Sequence, residues 1–263
     1  MLLIVIKIML SALMVIGLIY ISEKSPRLGG LFSGLPLSVG LFTYFYAREN
    51  GLQFLIDSMP YALVGFASML LFTIGFYFGS KLFSNQRFIN TISALGIGFI
   101  AYFTSAYIFT KFNITLSLGL IIFIITMILT IIFFKIVVKE NSAIENIKLE
   151  PVNIFKVIAF RIFLVASFVL LITGIANIVG HEWAGIFSSF PVMLTSVIAV
   201  LIFRYRNLLF PGVLKHFSYG VSILVIYDLL IFWLYPIIGI NWGTVAAYIV
   251  CFVYLSLLNK LNQ

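Results

Sequence analysis

The chain has 263 residues; 63% are hydrophobic, 9% are charged, and the formal net charge is +8. An ordinary soluble domain carries roughly 25% charged residues, so the composition excludes a water-soluble globular domain and makes the lipid bilayer the solvent. The positive charge is not a nucleic-acid footprint, because in a membrane protein the placement of Lys and Arg counts for more than their sum.

No ten-residue segments of alternating polarity are present, which argues against a β-barrel and for an all-α integral membrane protein. Cys251 is the single cysteine, so no intrachain disulfide can form. A spanning helix needs about 20 apolar residues. Nine spans are expected on that basis, at 1–22, 33–47, 57–80, 88–110, 114–137, 155–179, 185–203, 212–235 and 241–260. The first is too long for a signal peptide and lacks a basic start, so it reads as a helix that stays. The second is short for a full crossing. The third carries Asp57-Ser58 before Pro60, a helix-start signature. The polar run 139–153 is the linker between halves. The expected organisation is a first membrane repeat over 1–112, a connecting helix and cytoplasmic linker over 113–153, and a second repeat over 154–263.

Orientation follows from the basic residues. With the N-terminus on one side, that side carries Lys7, Arg48 and Lys111. The opposite side carries the other thirteen of the sixteen Lys and Arg, among them Lys24, Arg27, Lys81, Arg87, Lys135, Lys139, Arg204 and Lys260. The positive-inside rule makes the richer side cytoplasmic. The chain is therefore expected to be a multi-pass cell-membrane protein, with its N-terminus outside and its C-terminus in the cytoplasm.

One phrase occurs twice. Residues 29–36 read Gly-Gly-Leu-Phe-Ser-Gly-Leu-Pro, and residues 184–191 read Ala-Gly-Ile-Phe-Ser-Ser-Phe-Pro. Gly30, Phe32, Ser33 and Pro36 match Gly185, Phe187, Ser188 and Pro191. The first copy follows the first span and the second follows the sixth. An odd number of spans separates them, so the halves face opposite ways. The expectation is two inverted four-helix repeats joined by a connecting helix. Tyr61 and Tyr219 follow the copies at similar distances.

These eight residues are the candidate substrate site. Gly and Ser permit close approach of backbone or ligand. Pro36 and Pro191 donate no backbone hydrogen bond and disfavour a continuous helix before them. A break at membrane depth must face protein or a water-filled cavity. Where a helix restarts, its first amides carry positive partial charge suited to a polar or anionic group. The plainer reading is a pair of tight turns packed with small residues.

Asp228 lies deep in the eighth span. A carboxylate at that depth costs about 2.5–3.5 kcal/mol on insertion scales, and intramembrane carboxyls serve as proton carriers in pumps and transporters. Its counterpart in the first half is expected near apolar Leu70. His181 and Glu182 precede the second phrase; a solvated loop pair explains them best. No metal-ligand cluster, nucleotide-binding loop or hydrolase turn is present, so neither an enzyme nor a cofactor is expected.

The stretch from Ser22 to Pro36, with its basic turn, Gly30-Leu31 and then Leu35-Pro36, resembles the signature of the GlpM-like group of small bacterial membrane proteins. Glu182 to Pro191 resembles it again, without the basic turn. The resemblance implies a fused, duplicated version of such a protein and names no substrate. The expected function is a secondary-transporter-like permease for a small polar or anionic solute, with the lipid bilayer as its surroundings. The alternatives are a flippase acting on a lipid headgroup or polyprenyl carrier, and a non-transporting scaffold or regulatory subunit.

The topology is directly testable. With Cys251 replaced by Ala, a cysteine at Glu182 reacts with an impermeant maleimide from outside the cell. One at Glu145 reacts only once the cytoplasmic side is opened. The reverse pattern ends this topology.

Overall fold

The structure, a computed structural model, describes residues 31–82, 87–138, 154–192, 194–195, 198 and 210–261. The expected first span, Gly30 and the linker 139–153 lie outside the described residues. Six helices are assigned: α1 (Leu37–Glu49), α2 (Leu52–Leu82), α3 (Arg87–Phe109), α4 (Leu116–Val137), α5 (Ile154–Ser188) and α6 (Phe210–Leu261). No strand occurs among the described residues. Four of these helices are long and apolar enough to cross a membrane. The chain is an all-α protein suited to a bilayer.

α5 and α6 are each two helices joined at a glycine. Gly180 has φ 79° and ψ 170°, and Gly239 has φ 78° and ψ 168°, a backbone region that is essentially glycine's alone. The chain reverses at both. Across Gly239, Tyr235 bonds Thr244 at 2.7 Å, Cys251 donates to the Ile223 carbonyl at 3.8 Å, and Ser222 meets Tyr254 at 3.1 Å. That is the pairing of an antiparallel hairpin of arms 210–238 and 240–261. Across Gly180, Phe168 stacks on Phe190 with ring centroids 5.1 Å apart.

α2 is the central element. It packs against α1, α3, α4, α5 and α6, and 83% of its most apolar stretch is buried. α4 is its opposite: only 17% of the corresponding stretch is buried, and Ile121, Ile125, Ile128, Leu129, Ile132 and Ile136 all face outward. Such a surface is stable in lipid and not in water. α4 touches both α2 and α6, so it leans on both halves from the outside. Trp233 and Trp242 flank the Gly239 turn and are exposed, as interfacial anchors are.

Several Ser and Thr hydroxyls of the interior are satisfied within their own helices. Ser68 donates to the Val64 carbonyl at 3.1 Å, Thr73 to Leu70 at 2.6 Å, Thr130 to Thr126 at 2.8 Å and Ser218 to Leu214 at 3.0 Å. Hydrocarbon offers no water, so this back-bonding is the cheapest solution for a lone Ser or Thr.

Two boundaries differ from expectation. α2 starts at Leu52, not at Asp57, because the turn after α1 is made by Gly51 at φ 90°. Pro60 therefore lies inside α2, and Ser58 donates back to Leu55 at 2.7 Å instead of capping a helix start. The seventh expected span, 185–203, is preceded and partly formed by the short helical arm 181–188, which ends in a break.

Phe66 is fully buried on α2 and Ile132 is 49% exposed on α4. Phe66→Ala should destabilise the detergent-solubilised protein by about 3 kcal/mol through lost packing, and Ile132→Ala by less than about 0.5 kcal/mol. Thermal or denaturant unfolding checks the contrast.

Candidate site where two helix breaks meet

Both copies of the phrase end a short helical stretch, break, and start a new helix. In the first, Gly34 N–H donates to the Leu31 carbonyl at 3.1 Å, Leu35 to Phe32 at 3.0 Å, Leu37 to Leu35 at 2.7 Å and Gly40 to Pro36 at 2.7 Å. In the second, Ser189 donates to Ile186 at 3.1 Å, Phe190 to Phe187 at 3.1 Å, Val192 to Phe190 at 2.7 Å and Thr195 to Pro191 at 2.9 Å. Every bond of one set has its match in the other at a constant offset along the chain. The cause is local: proline supplies no N–H and pushes the preceding residue, Leu35 or Phe190, out of the helical region.

The breaks are packed on elements of the opposite half. A Cβ on Gly34 would collide with the backbone of Gly220 on α6, and a Cβ on Gly65 of α2 would land on the Ser189 hydroxyl. Gly65 and Gly220 stand at the same constant offset, so the two contacts are equivalent and exchanged. Gly185 is equally confined, against the Ser58 carbonyl of α2. Tyrosine hydroxyls then reach across. Tyr248 on α6 donates to the Pro36 carbonyl at 2.8 Å. Tyr102 on α3 donates to the Ile186 carbonyl at 2.7 Å and lies 3.4 Å from Ser189 Oγ. Tyr46 on α1 donates to the Ala184 carbonyl at 3.2 Å.

One small cavity lies between the breaks. Ser33, Leu35, Ser38 and Val39 line it from the first, and Phe190, Pro191, Val192 and Leu194 from the second. Met69, Phe217 and Leu224 complete it. Its volume of about 10 Å³ is room for about one water. Among the expected site residues, Ser33, Pro36, Gly185, Ser188 and Pro191 are buried and Phe32 and Phe187 partly so. Ser33 and Pro191 face the cavity. Ser188 turns back to the Gly185 carbonyl at 2.6 Å, and Phe187 packs on Trp183.

Asp228 is 2% exposed, and neither carboxyl oxygen has a hydrogen-bond partner among the described residues. It does not line the cavity. Tyr235 and Cys251 lie within its electrostatic reach, inside the α6 hairpin. The offset that relates Gly65 to Gly220 pairs other residues than the sequence alignment did. Asp228 falls opposite buried Thr73, a polar residue, and not opposite Leu70; Tyr61 falls opposite His216, and not opposite Tyr219. Tyr61 instead donates to Glu182 Oε1 at 3.2 Å and contacts the exposed His181 ring, so this pair is docked on α2 and is more than a solvated loop. Among the described residues, no three of His, Cys, Asp and Glu gather as a metal site would require.

Gly34, Gly65, Gly220, Tyr102 and Tyr248 are the site residues that sequence reasoning missed. The glycine pair was detectable, since Gly65 and Gly220 repeat at the spacing of the phrase. The tyrosines carry no such signal, because they act on the half of the chain that does not contain them. Compared with known proteins, the chain matches no family model, no curated sequence and no solved structure.

Gly34→Ala and Gly65→Ala should each lower stability by about 1–3 kcal/mol, the usual range for overpacking. Gly96, which has open space around it, should accept Ala with no loss. Thermal unfolding in detergent measures all three.

Proposed function

We propose that this protein is a secondary-transporter-like permease built from two inverted four-helix repeats, with α4 as the connecting helix, and that it carries a small polar or anionic solute. The N-terminus lies outside and the C-terminus in the cytoplasm. On this reading the chain is a fused duplication of a GlpM-like ancestor. The observation that carries the proposal is the pair of chain breaks, alike bond for bond, that meet at one cavity while each packs on the other half. Paired broken helices near a pseudo-two-fold axis are where transporters hold substrate. The restarting turn of α1, at Ser38 and Val39, faces the cavity and presents the positive end of its helix to a negative or polar group.

A cavity with room for one water belongs to a closed state. Loading a solute requires the breaks to part on one side, as rocking of one repeat against the other would achieve. Asp228 is the proton-coupling carboxyl: it is buried, neither oxygen is bonded among the described residues, and taking up and releasing a proton once per cycle ties transport to a proton gradient. Its opposite number, Thr73, cannot do the same, so coupling is confined to one half.

A non-transporting scaffold is the second reading, and the smallness of the cavity favours it. Proteoliposomes containing the purified chain separate the two. Uptake is measured for acetate, inorganic phosphate and glycerol, with a fluorescent lipid as a flippase arm. Saturable solute uptake supports the permease; lipid scrambling alone supports the flippase; neither supports the scaffold. Where uptake occurs, Asp228→Asn should abolish its dependence on an imposed pH gradient. Unchanged dependence removes Asp228 as the carrier.

A further inference from the structure

The two breaks are alike in backbone and unlike in how their carbonyls are satisfied. In the second, the Ile186, Pro191 and Val192 carbonyls each have a donor from the broken segment itself, beside the Tyr102 hydroxyl on Ile186 and the Tyr46 hydroxyl on Ala184. Thr195 Oγ1 donates to the Pro191 carbonyl at 2.8 Å and to Val192 at 2.9 Å, and Ser189 Oγ donates to Ile186 at 2.6 Å. At the equivalent places in the first break stand Gly40 and Gly34, which have no hydroxyl. There the Pro36 carbonyl takes its side-chain donor from Tyr248, far along the chain on α6. Gly40 leaves the room that makes this possible, since a Cβ on it would collide with the Tyr248 hydroxyl.

The packing differs in the same sense. Gly34 lies backbone to backbone on Gly220, with no side chain interlocked. Ser189 is held by Gly65 on one side and by Tyr102 on the other. If the second break shifts, the Ile186, Pro191 and Val192 carbonyls keep their own hydroxyls. If the first shifts, the Pro36 carbonyl loses its side-chain donor, and only water can replace it at membrane depth.

We propose that the first break is a water-gated element, that the Tyr248 hydroxyl is the latch holding it shut, and that the second break is fixed. Opening exchanges the tyrosine hydroxyl for water, an exchange of nearly equal partners, and it hydrates the cavity from the side of Ser33. The inference rests on the permease reading only in giving the opening a purpose.

The test needs no substrate. In protein with Cys251→Ala, Ser33→Cys and Ser188→Cys are placed singly, and their reaction rates with a water-soluble maleimide are measured in detergent. Tyr248→Phe keeps the ring and removes only the hydroxyl. It should speed reaction at Ser33→Cys about three- to tenfold, the range expected for one lost hydrogen bond, and change Ser188→Cys by less than about twofold. Tyr102→Phe should change neither by more than about twofold, because Ser189 already serves the same carbonyl. Adding Gly40→Ser to Tyr248→Phe supplies a hydroxyl from the segment itself, as Thr195 does, and should restore the slow rate at Ser33→Cys. Acceleration at both positions, at Ser188→Cys alone, or at neither overturns the latch, as does failure of the rescue. A latch confirmed here alongside absent uptake in proteoliposomes would refute the permease and leave the latch standing.

Discussion

In hydrocarbon a backbone polar group without a partner costs several kcal/mol, and this chain breaks its helices twice in its apolar interior. The rest of the described structure is arranged around that cost. Glycines on α2 and α6 let the broken segments press close, and hydroxyls from α1, α3 and α6 reach the exposed carbonyls. The helices that carry these groups come from the opposite half in the two main contacts, Gly34 on Gly220 and Ser189 on Gly65. The halves are thereby held together by the need to satisfy each other's backbone, a stronger reason to associate in lipid than apolar contact alone.

The two breaks show one backbone problem solved twice. Ser189 and Thr195 solve it from within; Gly34 and Gly40 leave it to Gly220 and Tyr248. The space beside each glycine is taken by a partner, the Gly220 backbone or the Tyr248 hydroxyl, so a side chain at either position would crowd it. Asp228 does not line the cavity between the breaks; Tyr235 and Cys251 lie near it on α6. Among the described residues, the hydroxyls at the second break are bonded and the Asp228 carboxyl is not.

Much of the architecture was legible because the bilayer imposes simple rules. Long apolar runs became helices α2, α3, α4 and α6, and the two prolines marked the breaks. Where the reading slipped, local signals competed. Asp57-Ser58-Pro60 resembles a helix start, yet Gly51 takes the turn with a conformation open to glycine, and the helix carries Pro60 in its third turn. Asp228 was set near Leu70, whereas the offset of Gly65 and Gly220 pairs it with Thr73 three residues on, because apolar helices offer few landmarks for alignment.

By itself the sequence determined that the chain is helical, that it lives in lipid, and where its helices must stop, because hydrophobicity and proline act through the residues that carry them. Only the tertiary structure decided that the two breaks share one cavity, that each leans on the other half, and that Tyr102 and Tyr248 complete them. Those facts depend on which distant surfaces come within hydrogen-bond reach, and no local pattern encodes that. The repeated phrase announced two similar breaks; the packing made them unequal.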